Sequence, residues 1–260
     1  TFWFRPQYLK PIGKNVLITT ITNNSGNPMI TTPGLPLGTE EIKAGDWIVI
    51  RGTTSYNGIQ PVKSVDAITK TVTLDIPYID STISNTAKFN KEVSNTFISY
   101  DTDTTTPTSY VTLTYTTNWF IIKLNNTYYK YDLSKSSIVL TKGKWYAATI
   151  NLNNLAKQLS LFLYNTVELA GAINPDRTAD LTNIYVNTQT IPTTSIPEGH
   201  AWKLLGCQTD LTNIRIWSQP IEEDLQELIL SQYVVKDSHL ALLLDNASPE
   251  LLLPTVTNPR

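Results

Sequence analysis

The 260-residue sequence has few charges, one cysteine and no long apolar run. Charged residues make up 16% of the chain, against roughly 25% in typical soluble domains. The net charge is −2 and no basic block occurs, so a nucleic-acid partner is not expected. Cys207 has no second cysteine to pair with. No apolar stretch approaches the roughly 20 residues needed to span a bilayer, so a membrane partner is not expected either.

Residues suited to catalysis are also scarce. The two histidines, His200 and His239, are far apart in sequence and neither has a neighbouring cysteine or histidine, so zinc is not predicted. No phosphate-binding glycine loop, nucleophile elbow or H-E-x-x-H motif is present. The paired carboxylates that a retaining glycosidase needs on one strand, in an E-x-D-x-E pattern, are missing as well. We therefore predict that the protein is not an enzyme.

Threonine, asparagine and serine take the place of the charges, and this bias favours strands and turns. The range 144–153 and the range 158–165 are separated by a turn signal at Asn153-Asn154, and Leu159, Leu161 and Leu163 recur at every second position. These two ranges are predicted to form a hairpin. The chain as a whole is predicted to be all-β.

The only clear helix signal lies near the C-terminal end. Leu211–Ser218 alternates as a strand, and Pro220 stands where a first helical turn tolerates proline. Acidic residues follow at 222–224, where they favour the helix dipole, and apolar residues recur at helical spacing to Tyr233. We predict one short helix here, then a final strand at 239–245.

The first third of the chain combines a turn-rich stretch with short strands. Residues 23–38 contain several prolines and glycines and are predicted to form a linker or long loop. A Gly45-Asp46 turn leads into the next strand, and Asn57-Gly58 is a strong two-residue hairpin signal. Residues 38–81 are therefore predicted to form a small β-barrel or meander.

Three segments resemble the concanavalin A-like, laminin-G-type jelly rolls. They are TFWFRP at 1–6, GKWYAATINLN with KQLSLFLYNT at 143–166, and WKLLG with LTNIRIWSQPIEEDLQELI at 202–229. They fall in the order of that family. The resemblance implies a jelly-roll sandwich over 1–37 and 82–246, an inserted small β-barrel at 38–81 and an extended tail at 247–260. Thr166 stands where the family usually has glycine, and the family's first strand is missing, so we expect a fragment of a longer polypeptide.

Two kinds of binding site are considered. Calcium is the one ion the resemblance suggests, and Asp101 and Asp103 could supply hard oxygen ligands, although a solvated loop explains the same residues. A carbohydrate could stack on the aromatic residues Trp119, Tyr128, Tyr129 and Tyr131, although cross-strand packing explains these as well.

The combination of modules resembles virion proteins of tailed bacteriophages. It implies a non-enzymatic structural component of a viral particle, in a capsid, baseplate or tail. Such a protein would be localised in the virion, with other virion proteins as partners in a homo-oligomer or heteromeric assembly. The alternative is a carbohydrate-binding adhesin or receptor-binding module with a host glycan as partner. A glycoside hydrolase is the third hypothesis, and the absence of paired catalytic carboxylates from the sequence argues against it.

Overall fold

The described part of the chain is all-β, with antiparallel sheets. A computed structural model describes residues 1–9, 13–102, 109–136, 138–166, 181–194, 200–205, 209–212 and 214–217, Pro220, and residues 240–244. The helix predicted after Pro220, the tail at 247–260, Cys207 and Asp103 lie outside these ranges.

The strands are numbered in chain order. They are β1 (Phe2–Pro6), β2 (Val16–Leu17), β3 (Thr20–Asn24), β4 (Asn27–Thr31), β5 (Trp47–Thr53), β6 (Gly58–Asp66), β7 (Thr71–Leu74), β8 (Ile83–Glu92), β9 (Asn95–Thr102), β10 (Ser109–Tyr115), β11 (Trp119–Leu124), β12 (Thr127–Asp132), β13 (Tyr146–Asn153), β14 (Gln158–Thr166), β15 (Leu181–Thr190), β16 (His200–Leu204), β17 (Thr209–Thr212), β18 (Ile214–Trp217) and β19 (Leu240–Leu244). The described ranges also contain short 3₁₀ helices at Gly38–Glu40 and Leu133–Lys135.

The chain divides into two compact units. The first comprises residues 1–8, 96–113 and 120–260, and the second comprises 9–95 and 114–119. The seven-stranded sheet described below includes strands at 16–31 and 83–92, outside the range 38–81 predicted for the small barrel.

The first unit is a β-sandwich. Its sheets have the strand orders β15-β14-β13-β1-β17 and β12-β11-β10-β9-β16, and β18 pairs separately with β19. Aromatic rings fill the space between the two five-stranded sheets: Phe4 on β1 lies 5.8 Å from Phe97 on β9 and 6.2 Å from Phe120 on β11, measured between ring centroids. The three rings are fully buried. The alternation of β1 therefore places its phenylalanines in the core.

The hairpin predicted around Asn153 is confirmed. β13 and β14 pair antiparallel from Tyr146 opposite Asn165 to Asn153 opposite Gln158. The Asn153 side chain accepts a 3.0 Å hydrogen bond from the backbone N–H of Ala156, which closes the turn locally. The strand predicted at 239–245 is also confirmed, as β19. The predicted strand at 211–218 is divided, because β17 and β18 pair in different sheets.

The second unit contains the seven-stranded sheet, a half-barrel with strand order β2-β8-β5-β6-β7-β4-β3. Its apolar side chains form one core, which includes Ile30, Ile48, Val72 and Phe89, all fully buried. These residues come from β4, β5, β7 and β8, so the core joins strands that are distant in sequence.

The prediction of a loop at 23–38 is wrong for residues 23–31, which belong to a hairpin. β3 and β4 form a hairpin, and both central turn residues, Ser25 and Gly26, have positive φ angles of 51° and 85°. Positive φ at both positions is typical of the tight turns that match strand twist. Pro28 is tolerated near the start of β4, because pairing with β7 begins only at Met29.

The two-residue turn predicted at Asn57-Gly58 is also wrong. Gly58 already belongs to β6 and lies opposite Ile50, so a longer loop connects β5 to β6. The side-chain NH₂ of Asn57 donates a 2.6 Å hydrogen bond to the backbone carbonyl of Thr53. The side-chain oxygen of Asn57 accepts a 3.0 Å hydrogen bond from the backbone N–H of Thr53. Asn57 therefore closes the loop with its side chain rather than by occupying a central turn position.

Candidate functional site: an interior cavity and an apolar edge strand

The three tyrosines of the predicted carbohydrate site lie on β12, an edge strand of the sandwich. Tyr131 is fully buried, and Tyr129 is 7% exposed. Tyr128 is half-buried, with the ammonium of Lys123 5.8 Å from its ring centroid. Alternation along the strand thus turns Tyr129 and Tyr131 to the core and leaves Tyr128 with an accessible face.

The fourth aromatic residue, Trp119, belongs to the second unit, so the structure does not bring the four together in one unit. Trp119 is half-buried, and its ring would lie 3.4 Å from a Cβ built on Gly58. Packing against a glycine backbone explains its position in the half-barrel. The carbohydrate site remains a prediction.

Asp101, one of the two predicted calcium ligands, lies on β9 and is 6% exposed. Its carboxylate accepts a 2.9 Å hydrogen bond from the hydroxyl of Ser99, and the ammonium of Lys203 lies 3.5 Å away. Burial raises the pKa of Asp101, but hydrogen bonds from Ser109 and Ser99 and the charge of Lys203 outweigh burial and leave that pKa below its ordinary value.

These contacts bear on the calcium prediction. Lys203 supplies a positive charge beside Asp101, in the role that a metal ion would take. Within the described ranges no group of three or more histidine, cysteine, aspartate or glutamate residues could hold a metal ion. Calcium at Asp101 and Asp103 remains a prediction, because Asp103 lies outside those ranges.

β16 forms an apolar edge of the sandwich. Trp202 is 37% exposed, and Leu204 and Leu205 are 50% and 36% exposed. Trp202 lies directly opposite Tyr100 on β9, with the ring centroids 4.8 Å apart. β16 pairs with β9 on one side, and no other described strand pairs with it. Sequence reasoning missed this surface because an apolar strand is usually buried; its edge position follows from sheet order alone.

A cavity of about 310 Å³ lies within the sandwich unit. It is lined by residues of both five-stranded sheets, of β18 and of nearby connections: Thr1, Phe2, Ile98, Val111, Leu113, Ile122, Leu124, Ile150, Asn151, Leu152, Asn154, Leu159, Trp202, Ile214, Arg215, Ile216 and Pro220. Most of these side chains are aliphatic. Asn154, Pro220 and Trp202 are exposed, so the cavity is in part open to solvent.

Arg215 is the one charged residue among those lining this cavity, and it is 2% exposed. Its backbone N–H donates a 2.8 Å hydrogen bond to the carbonyl of Thr1, which ties β18 to the start of β1. An arginine side chain keeps its positive charge even when it is buried. The cavity is therefore lined mainly by aliphatic side chains, and the buried residue Arg215 is also part of its lining.

No protein-family model, curated protein or solved structure matches the chain. The resemblance to concanavalin A-like domains and phage proteins therefore remains a prediction. Among the helices of the described ranges, none has the length and apolar character required to cross a membrane.

Proposed function

We propose that the chain is a non-enzymatic structural and interaction component of a viral particle, a phage capsid, baseplate or tail protein that carries a lectin-like jelly roll. The observation that carries the proposal is the apolar edge strand β16, on which Trp202 and Leu204 are exposed, followed directly by the exposed Leu205. An edge strand with exposed apolar side chains is a natural site for pairing with another chain. Association with other virion proteins would cover it.

The sandwich gives further support. Two five-stranded antiparallel sheets packed over an aromatic core suit a jelly roll of the laminin-G type, and the half-barrel suits a second small module. Because one fold serves many functions, the fold supports the assembly role only by analogy.

Composition of purified particles tests the proposal directly. We expect mass spectrometry of density-purified particles from the source to detect this polypeptide at a fixed copy number. Absence from particles, with the protein found free or on cell envelopes, would contradict the virion assignment.

The edge strand can be tested in solution by sedimentation. We expect the wild-type chain to form oligomers, and Leu204→Lys to weaken them by placing a charge on the apolar edge. Val139→Lys is the matched control, because Val139 is 65% exposed in the same unit but lies outside β16. A wild-type chain that stays monomeric at all accessible concentrations would count against assembly through this edge.

The alternative function is a carbohydrate-binding adhesin, and the exposed Trp202, whose ring lies tilted against that of Tyr100, favours it. Exposed aromatic faces can stack on sugar rings. If this function is correct, glycan binding measured by calorimetry should decrease in Trp202→Ala or Tyr128→Ala. Binding that persists in both variants would exclude these rings as the sugar platform.

A further inference from the structure

We propose that the interior cavity of the sandwich binds an uncharged aliphatic molecule of about ten non-hydrogen atoms, held by contact with its aliphatic walls. Ligand sites in proteins are typically mostly apolar clefts of about 300–1,000 Å³, and this cavity of about 310 Å³ has that character. All the residues that line it belong to the sandwich unit. Binding there does not depend on the assembly role proposed above.

The walls of the cavity determine the chemical class of the ligand. Aliphatic side chains line it from both five-stranded sheets: Val111, Leu113, Ile122 and Leu124 from one, and Ile150, Leu152 and Leu159 from the other. Such side chains attract a ligand by dispersion and by the removal of apolar surface from water. A polar group that faced them would lose its hydration without gaining a hydrogen bond. A saturated hydrocarbon chain is therefore the ligand that these walls favour.

The volume of the cavity limits the size of the ligand. A water molecule occupies about 30 Å³ in the liquid, so a cavity of about 310 Å³ corresponds to roughly ten groups of that size. A linear chain of about ten carbon and oxygen atoms is therefore the largest that fits without moving the sheets. Further methylene groups of a longer chain would stay in solvent.

The ligand is expected to carry no charge. A charge that is buried against aliphatic side chains loses its hydration and needs a partner. Arg215 is the charged residue of the lining, but it already has an interaction within the chain, so no ligand contact is assigned to it. Asn154 and Trp202 line the cavity and are exposed. The hydroxyl of an alcohol can thus remain in contact with water while its chain lies between the sheets.

A chain-length series of primary alcohols, titrated into the full chain by calorimetry, tests the proposal. We expect one saturable site per chain, with an affinity that rises about fourfold for each methylene group from 1-pentanol to 1-nonanol. Beyond 1-nonanol, which has about the ten non-hydrogen atoms that the volume admits, the gain should stop. Adsorption to an apolar surface would give neither one site per chain nor this limit.

The absence of a charge is tested with ligands of one chain length. Octanoate and protonated octylamine have the eight-carbon chain of 1-octanol, with a negative and a positive head group. Each should bind at least about tenfold more weakly than 1-octanol, because either charge must stay hydrated and holds part of the chain out of the cavity.

Two variants place a larger side chain in the cavity. Ile150 on β13 and Ile216 on β18 both line it and are half-buried, so Ile150→Trp and Ile216→Trp are expected to fold. Each should weaken 1-octanol binding at least about tenfold by occupying the volume. Val186→Trp is the matched control, because Val186 is 44% exposed on β15 of the same unit and does not line the cavity.

The outcomes are distinct. One saturable site with the chain-length limit, lost in a folded cavity variant and kept in Val186→Trp, supports the proposal. No saturable binding, an affinity that keeps rising beyond 1-nonanol, unchanged binding in the folded cavity variants, or an affinity for octanoate or octylamine equal to that for 1-octanol overturns it. Circular dichroism establishes that each variant is folded. The alcohol series needs no variant and decides the matter alone if neither cavity variant folds.

Discussion

The phenolic hydroxyl of Tyr131 donates a 3.0 Å hydrogen bond to the backbone carbonyl of Leu159. Tyr131 lies on β12 and Leu159 on β14, so this bond joins the two sheets of the sandwich. Tyr131 is fully buried, and water cannot replace the hydroxyl at this depth. The bond therefore fixes the distance between an edge strand and the opposite sheet.

Removing this hydroxyl should destabilise the sandwich. We expect Tyr131→Phe to lower the free energy of unfolding by about 1 kcal/mol, the typical net contribution of a buried hydrogen bond. Urea denaturation measures the change. Tyr78→Phe is the control, because its hydroxyl bonds Asp80 at the surface of the second unit, and a change within about 0.5 kcal/mol is expected there. Equal losses in the two variants would contradict the inter-sheet role.

The same residue predicts how stability depends on alkaline pH. Burial raises the pKa of Tyr131 above its ordinary value of about 10, with smaller contributions from Tyr185 and Tyr129. A pKa that is higher in the folded state means that folding favours the protonated phenol, so this contribution is complete below pH 10 and decreases as pH rises further. Tyr131→Phe should therefore lose less stability than wild type between pH 9 and pH 11, measured by urea denaturation. Parallel losses in both proteins would refute the assignment.

Gly52 in the half-barrel has no room for a side chain. Its φ is +82°, and an added Cβ would stand 2.9 Å from the Cα of Ala87 and 2.7 Å from the hydroxyl of Ser84. The pairing of β5 with β8 shifts register between Arg51 and Thr53, and Gly52 lies at this shift. Glycine at a bulge permits the close approach of the two backbones.

Gly26 provides a matched comparison for this position. Its φ is +85°, but a Cβ there would meet nothing within 4 Å. We expect Gly26→Ala to cost about 1–2 kcal/mol from the left-handed backbone alone. Gly52→Ala should cost an additional 1–3 kcal/mol or so, because the β8 backbone must move. Thermal unfolding measures both, and similar losses would show that the close contact with Ala87 is relieved at no cost.

Local patterns in the sequence were sufficient for several elements. The hairpin formed by β13 and β14 around Asn153 follows from alternation and an asparagine turn. These elements depend on contacts between neighbours in sequence. The hairpin at Ser25-Gly26 was missed because its prolines and glycines are equally common in loops.

The candidate site depends on contacts that no local pattern contains. The cavity is lined by residues of β1, β10 and β13. In the sequence, β1 precedes the other two strands by more than a hundred residues. The tyrosine repeat of β12 was visible, but which face is buried depends on the opposite sheet, as the Tyr131–Leu159 bond illustrates. The exposure of Trp202 likewise depends on β16 lying at a sheet edge. Pairing between strands that are distant in sequence therefore decides which face of β12 is buried and why Trp202 on β16 is exposed.

The turn between β10 and β11 is organised by one buried hydroxyl. Thr116 is fully buried; its Oγ1 donates to the carboxyl of Glu92 at 2.5 Å and accepts a 3.1 Å hydrogen bond from the N–H of Trp119. Glu92 is 3% exposed. The hydroxyl thus satisfies a buried acceptor on β8 and a backbone donor of the turn at the same time.

Thr116→Val keeps the shape of the side chain but removes these two bonds and the 3.3 Å bond that Oγ1 accepts from the backbone N–H of Asn118. We expect it to lower the free energy of unfolding of the second unit by about 1–3 kcal/mol, the cost of leaving buried polar groups unsatisfied. The fluorescence of Trp119 should change as well, because the backbone N–H of Trp119 loses the Thr116 oxygen that fixes the start of β11. Thr86→Val is the matched control, since Thr86 is exposed on β8, and a change within about 0.5 kcal/mol is expected. If both substitutions have the same small effect, Thr116 does not hold the turn against β8, and the position of Trp119 must depend on its packing against Gly58 alone.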